Sequence, residues 1–253
     1  MQDRFTTYVA VGDSFTEGLE DLGPDGRVYR GWADRLAELL AAGAPEFRYA
    51  NLAVRSRKML DILTEQVPVA AGMKADLVSL CAGTNDIIRP GSDPDRVAAL
   101  FDDAMTQLVA AGSHVVIFTG MDTKGTPVLG RLRGKIATYN GHLRAIADKH
   151  NATVVDLWPL AVLRDSRAWA ADRLHPSPEG HRRLALLVAD RLGLAADAWD
   201  DPWPPMPPLA TLAKRQEDLR WAKEFFVPWI GRRLRRVSSG DGLTAKRPAL
   251  SPL

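Results

Sequence analysis

Short apolar runs alternate along the chain with longer stretches whose apolar positions recur every three or four residues, the pattern of buried strands joined by helices. Strands are expected near Tyr8–Val11, Phe47–Leu52, Leu77–Cys81, Val115–Thr119 and Thr153–Leu157. Helical period fills Trp32–Ala42, Asp95–Ala111 and Gly130–His150; in the last of these Leu132, Ile136, Tyr139, Leu143 and Ile146 share one face, which should pack on the sheet. A final helix should open at Pro178 behind Ser177 as N-cap and close at Gly193. Five strands separated by helices imply an α/β fold with a parallel, doubly wound sheet, because parallel neighbours need crossover connections.

In such sheets ligands sit beyond the carboxyl ends of the strands, where the strand order reverses. The residues that follow the apolar runs are Gly12-Asp13-Ser14, Ala53-Val54-Arg55-Ser56, Gly83-Thr84-Asn85-Asp86 and Gly120-Met121-Asp122. Polar side chains and glycines therefore gather at one rim.

The pattern changes after about Trp199. Five prolines fall between Pro202 and Pro208, a stiff extended connector, and a basic segment carrying Trp221, Phe225, Phe226 and Trp229 follows. The division expected is a globular domain over residues 1–198 and an extension over 199–253 that docks on it, with a mobile Ser/Gly/Pro-rich end. Contact of this basic, aromatic extension with a membrane surface is the less favoured alternative.

Composition narrows the partners. Lys and Arg number 33 against 31 Asp and Glu, a net charge of +2 that gives no reason to expect a nucleic-acid partner. The single cysteine, Cys81, can form no internal disulfide and lies in an apolar run, where a core thiol is expected. With no secretory pattern at the start and no apolar run of membrane-spanning length, a cytoplasmic protein is expected.

Three features of the rim add up to chemistry. Ser14 follows the Gly12-Asp13 turn, Asn85 ends the equivalent turn after the third strand, and Asp172 precedes His175 by three residues just before the last helix. An Asp at that spacing can accept the imidazole Nδ1 proton and leave Nε2 to take a proton from a serine hydroxyl. Oxyanion donors are available from the Ser14 amide, the amide near Ser56 and the Asn85 carboxamide. Asp13, Asp86 and Asp122 suit turn capping; His114, His142, His150 and His181 have no Asp at matching spacing and suit surface or packing roles.

GDSFTEG, NLAVRS, GTND and DRLHPS, in this order, resemble the motifs of the SGNH hydrolase superfamily, also called the GDSL esterases and lipases. The resemblance implies a flavodoxin-like fold, a three-layer α/β/α sandwich on a five-stranded parallel sheet. It also implies a serine esterase acting on a small-molecule ester, with no metal and no organic cofactor. By the same resemblance Ser14 is the nucleophile, Asp172 and His175 its partners, and Ser14, Ser56 and Asn85 the oxyanion hole. The family pattern has glycine where this chain has Ser56. Short acyl groups are the expected substrates; acyl transfer to a sugar or alcohol, or a binding protein with a decayed site, are the alternatives. The oligomeric state is open.

Overall fold

Alternation within the strands decides how the layers form. In β1 (Thr7–Gly12) Val9 and Val11 face one side and Tyr8 and Ala10 the other, and all four are fully buried. A strand hydrophobic on both faces must be covered on both, which places helices above and below the sheet. The computed structural model describes residues 5–126, 129–194, 196, 198–207, 211–235 and 238–253.

In chain order the elements are β1, α1 (Ser14–Glu17), α2 (Trp32–Ala41), β2 (Arg48–Asn51), α3 (Met59–Asp61), a π-helical turn (Ile62–Gln66), α4 (Val67–Met73), β3 (Leu77–Cys81), α5 (Thr84–Ile87), α6 (Pro94–Ala110), β4 (His114–Phe118), α7 (Arg133–His150), β5 (Thr153–Val155), α8 (Pro178–Arg191), α9 (Thr211–Trp221), a second π-helical turn (Ala222–Phe226), α10 (Val227–Leu234) and β6 (Arg247–Pro252). Strand order is β5-β4-β3-β1-β2-β6. Strands β1 to β5 are parallel, and the order reverses at β1 and β3, whose carboxyl ends therefore flank the crevice.

Two apolar layers result. Helices α4, α6 and α7 cover one face, where Phe101, Met105, Leu108 and Leu143 are buried on Val9, Val78 and Ile117. Helices α2 and α8 cover the other, where Trp32, Leu36, Leu184 and Val188 are buried on Tyr8, Tyr49 and Phe118. Ser177 caps α8 by accepting from the Gly180 amide at 3.1 Å, with Pro178 in the first turn where no intrahelical donor is needed.

The C-terminal region corrects the strand count: the sheet has six strands, not five, because β6 pairs antiparallel with β2, Tyr49 opposite Ser251 and Arg48 opposite Pro252. Helix α9 and the rest of the chain meet through Trp221 and Asp218. Leu212 and Leu219 remain about 70% exposed, whereas Trp221 donates from Nε1 to the Asp172 carbonyl at 2.8 Å and Asp218 pairs with Arg173 at 2.5 Å. Among the described residues no helix is long and apolar enough to cross a membrane.

Candidate active site

Beyond β1 the backbone has almost no freedom. A Cβ on Gly12 would lie 2.5 Å from the Cys81 carbonyl oxygen and 2.7 Å from Thr16 Oγ1, so only glycine lets β1 approach β3 this closely. The Gln66 carboxamide reaches the same residue, donating to the Gly12 carbonyl and accepting from the Gly12 amide, both at 2.9 Å. Asp13 then caps α1 by accepting from the Phe15 amide at 3.1 Å, which leaves Ser14 as the first helical residue. Desolvation pushes the buried Asp13 carboxyl up to about 6, against the pull of the Phe15 amide and His175.

The loop between β5 and α8 carries the base. A narrow hairpin, closed by the Ala170 amide to the His175 carbonyl and the Ser177 amide to the Ala168 carbonyl, holds Asp172 to His175 at its tip. Arg173 takes the left-handed conformation there, with φ of 58°. Asp172 Oδ1 accepts from the amides of Leu174 and His175 at 2.9 and 3.0 Å, and its Oδ2 lies 2.5 Å from His175 Nδ1. His175 Nε2 is 2.8 Å from Ser14 Oγ.

A carboxylate only accepts, so His175 Nδ1 carries the hydrogen, and Nε2 is left to accept from the Ser14 hydroxyl. Burial works to raise the Asp172 carboxyl, but the hydrogen bond and charge of His175, with the two amides, outweigh it and hold the group below the ordinary carboxylate value. Asp172 is therefore ionised at neutral pH and able to stabilise an imidazolium beside it. Ser14, His175 and Asp172, expected from the sequence to meet, do so.

The remaining rim residues close in from β2 and β3. Asn51, fully buried at the end of β2, donates to the Thr16 carbonyl at 3.0 Å and accepts from the Ala53 amide at 3.1 Å, which sets the direction of the loop leading to Ser56. Ser56 sits at φ of 65°, the left-handed region that glycine enters freely and other residues at about 1–2 kcal/mol. Ser56, where the family pattern has glycine, thus takes a backbone conformation that glycine adopts freely. Its hydroxyl lies 2.8 Å from Ser239 Oγ, in the C-terminal segment.

Asn85 stands in the first turn of α5, behind Gly83, whose φ of 93° and close approach to the Tyr139 ring leave no room for a Cβ. Its Nδ2 donates to Asp13 Oδ2 at 3.0 Å and to the Arg57 carbonyl at 3.1 Å. Asn85 therefore links the first and third loops of the rim. An oxyanion at the site would share or displace one of these acceptors.

Other rim residues settle into supporting roles. Asp86 accepts from the Met59 amide at 2.8 Å and Asp122 from the Lys124 amide at 2.9 Å, both as turn caps. Arg55 pairs with Glu17 of α1, whose Oε2 also accepts from the Arg55 amide at 2.7 Å. Cys81 is no nucleophile in waiting: desolvation and Asp13 push its thiol well above its ordinary value. His114 and His150 contact Thr153 and Asp102, and His142 contacts Asp95, all away from Ser14.

Gln66 was not read from the sequence; its partners are backbone atoms 54 residues away, and no local pattern betrays them. His181, read as a packing residue, is fully buried and bonded at both ring nitrogens, accepting at Nδ1 from the Trp32 amide (3.1 Å) and donating from Nε2 to the Leu19 carbonyl (3.0 Å). It thereby joins the end of α1 to the start of α2.

The fold has counterparts among solved structures. An acetylxylan esterase from Geobacillus stearothermophilus superposes with a TM-score of 0.63 at 23% identity, over 76% of this chain and 95% of that one. LAE5, an alpha/beta hydrolase enzyme from the metagenome of Lake Arreo, superposes with a TM-score of 0.62 at 20% identity, over 74% and 95%. No curated protein matches the chain. The model of the GDSL-like lipase/acylhydrolase family matches residues 10–183, from the end of β1 into α8 and across all the rim loops. With Ser14, His175 and Asp172 in contact inside that span, the chain belongs to the GDSL-like lipase/acylhydrolase family and is an SGNH-type carboxylic ester hydrolase.

Proposed function

We propose that the enzyme cleaves short-acyl carboxylic esters through an acyl-enzyme on Ser14. The observation that carries this reading is the unbroken chain of contacts from Ser14 Oγ to His175 Nε2 at 2.8 Å and from His175 Nδ1 to Asp172 Oδ2 at 2.5 Å. His175 Nε2 takes the hydroxyl proton as Ser14 attacks the ester carbonyl, and the tetrahedral intermediate forms with its negative charge on the former carbonyl oxygen. The imidazolium, held by ionised Asp172, then protonates the leaving alkoxide, and the acyl group stays on Ser14. Water enters, gives its proton to His175 and attacks the acyl carbon; the reverse transfer to Ser14 Oγ frees the acid.

The amides of Ser14 and Ser56 and the Asn85 carboxamide are the proposed donors to the oxyanion. The short-acyl assignment draws on the Geobacillus neighbour, which is an acetylxylan esterase.

The test is hydrolysis of a 4-nitrophenyl ester series from acetate to decanoate, beside labelling with a fluorophosphonate. Wild type should be labelled and prefer acetate to butyrate chains, while Ser14→Ala should be unlabelled and inactive. Hydrolysis by Ser14→Ala at the wild-type rate would overturn the assignment of the nucleophile, and a preference for decanoate the assignment of the acyl length.

A further inference from the structure

The C-terminal segment does more than add a strand. Residues 238–241 form a self-capped turn, the Ser238 amide donating to Asp241 Oδ2 at 2.8 Å and the Gly240 amide to Ser238 Oγ at 3.1 Å. That turn is pressed against the loop after β2. Gly240 is buried, and a Cβ there would lie 2.1 Å from the Arg55 carbonyl oxygen, while Ser239 Oγ touches Ser56 Oγ at 2.8 Å.

Anchors hold the turn in place from its far side. Lys246 Nζ, largely buried, donates to the Glu17 carbonyl (2.6 Å), the Tyr29 carbonyl (2.9 Å) and Asp34 Oδ2 (2.6 Å). Beyond it β6 is pinned on β2. Glu17, whose carbonyl Lys246 grips, is also the residue whose carboxylate holds the Arg55 amide and guanidinium. The Arg55–Ser56 peptide is thus fixed on one side by the helix that carries Ser14 and on the other by the C-terminal turn.

A peptide group is planar and trans, so its carbonyl and its N–H point in opposite directions. Among the described residues no peptide bond is cis, so an Arg55 carbonyl turned against Gly240 sends the Ser56 N–H away from the turn. We propose that Ser239 and Gly240 are positioning residues for ester hydrolysis: by holding the Arg55 carbonyl and the Ser56 hydroxyl, they aim the Ser56 amide at the oxyanion. This rests on the reading of Ser56 as an oxyanion donor. The chain's C-terminus, more than 180 residues away in sequence, thereby completes a hole otherwise built from the loops after β1, β2 and β3.

The test compares wild type, Ser239→Ala, Gly240→Ala and Ser14→Ala in the full chain, with kcat expressed per site titrated by fluorophosphonate for the first three and per mole of protein for Ser14→Ala. It also measures affinity for phenylboronic acid, whose tetrahedral adduct on the serine carries an oxygen at the oxyanion position. Gly240→Ala should turn the peptide and lower kcat about a hundredfold, as loss of one oxyanion donor does, with KM within threefold of wild type and boronate affinity falling in step. Ser239→Ala, an exposed change, should lower kcat three- to tenfold with an unaltered melting temperature. Wild-type kcat and boronate affinity in folded Gly240→Ala would overturn the proposal; should that variant fail to fold, wild-type values in Ser239→Ala would do so. A fully active Ser14→Ala would instead remove the underlying reading of the site, an outcome recognisable by itself.

Discussion

The side-chain amide of Gln66 grips both backbone polar atoms of Gly12, its Oε1 and Nε2 each 2.9 Å from their partners, two residues ahead of the nucleophile. Gln66 is buried, so nothing else replaces these bonds if the amide is removed. Gln66→Leu should cost about 1–3 kcal/mol of stability, because the Gly12 groups are left unpaired. It should also lower kcat at least tenfold with little change in KM, since the turn that aims Ser14 Oγ is released. Chemical denaturation and steady-state kinetics on one preparation check both. A variant with lowered stability and wild-type kcat would make Gln66 a purely structural clamp.

The order of losses within the triad follows from who moves the proton. His175→Ala removes the acceptor and should lower kcat by three orders of magnitude or more. Asp172→Ala leaves an imidazole that can still accept but is no longer oriented or charge-stabilised, and should cost about tenfold to a hundredfold less. Because the native environment holds the Asp172 carboxyl low, its contribution to stability is present at neutral pH and is lost as pH falls below the ordinary carboxylate range. Kinetics above pH 6 and melting curves at pH 3 to 7 read the two effects separately. Equal losses in the two variants would mean that His175 has no function independent of Asp172.

Asp13 has the opposite sign. Its carboxyl, raised to about 6 by desolvation, favours the native state while protonated, and that contribution is lost as pH rises through about 6. A rise of about two units corresponds to about 3 kcal/mol, an upper bound for the cost of keeping the ion buried at pH 8. Asp13→Asn removes the charge and keeps one acceptor oxygen, for either Asn85 Nδ2 or the Phe15 amide, a loss that is the same at every pH. Its melting temperature relative to wild type should therefore climb between pH 4 and pH 7 and level off above. A difference that is flat with pH would show that the Asp13 charge carries no such cost.

How much of this was legible follows from where each partner lies in sequence. Strands β1 to β5 announce themselves by buried apolar runs, and Ser14, Asn85 and His175 by their places just after those runs or just before α8. Asp172 and His175 could be paired on paper because three residues separate them. Strand β6 could not: Arg247–Pro252 includes Pro248 and Pro252, which argue against a strand everywhere except at a sheet edge, and the edge exists only once β2 is in place. Lys246, Ser239 and Gln66 were missed for a related reason. Each acts on a segment far away in sequence, Lys246 and Gln66 mainly through backbone atoms, which no residue pattern encodes. Ser56 was legible as a departure from the family glycine, but that it takes the left-handed backbone is visible only in three dimensions.

His181 supplies the acid-side counterpart of Asp13. It lies on the apolar face of α8 with Leu184, Ala185 and Val188, and desolvation, countered only in part by the Leu19 carbonyl, pushes its imidazole down to about 3. Neutral His181 satisfies the Trp32 amide and the Leu19 carbonyl; a proton on Nδ1 would replace an acceptor with a donor facing a donor. Its stabilising contribution is therefore complete above the ordinary histidine value of about 6.5 and is lost as pH falls toward 3. Over pH 4 to 6 this loss opposes the gain from protonating Asp13, so each must be read as a difference from its own variant. His181→Gln should be less stable than wild type at pH 8 and should show a smaller drop in melting temperature from pH 7 to pH 4. Circular dichroism melts over the same pH series test this; an unchanged acid slope in His181→Gln would assign the acid lability to other groups.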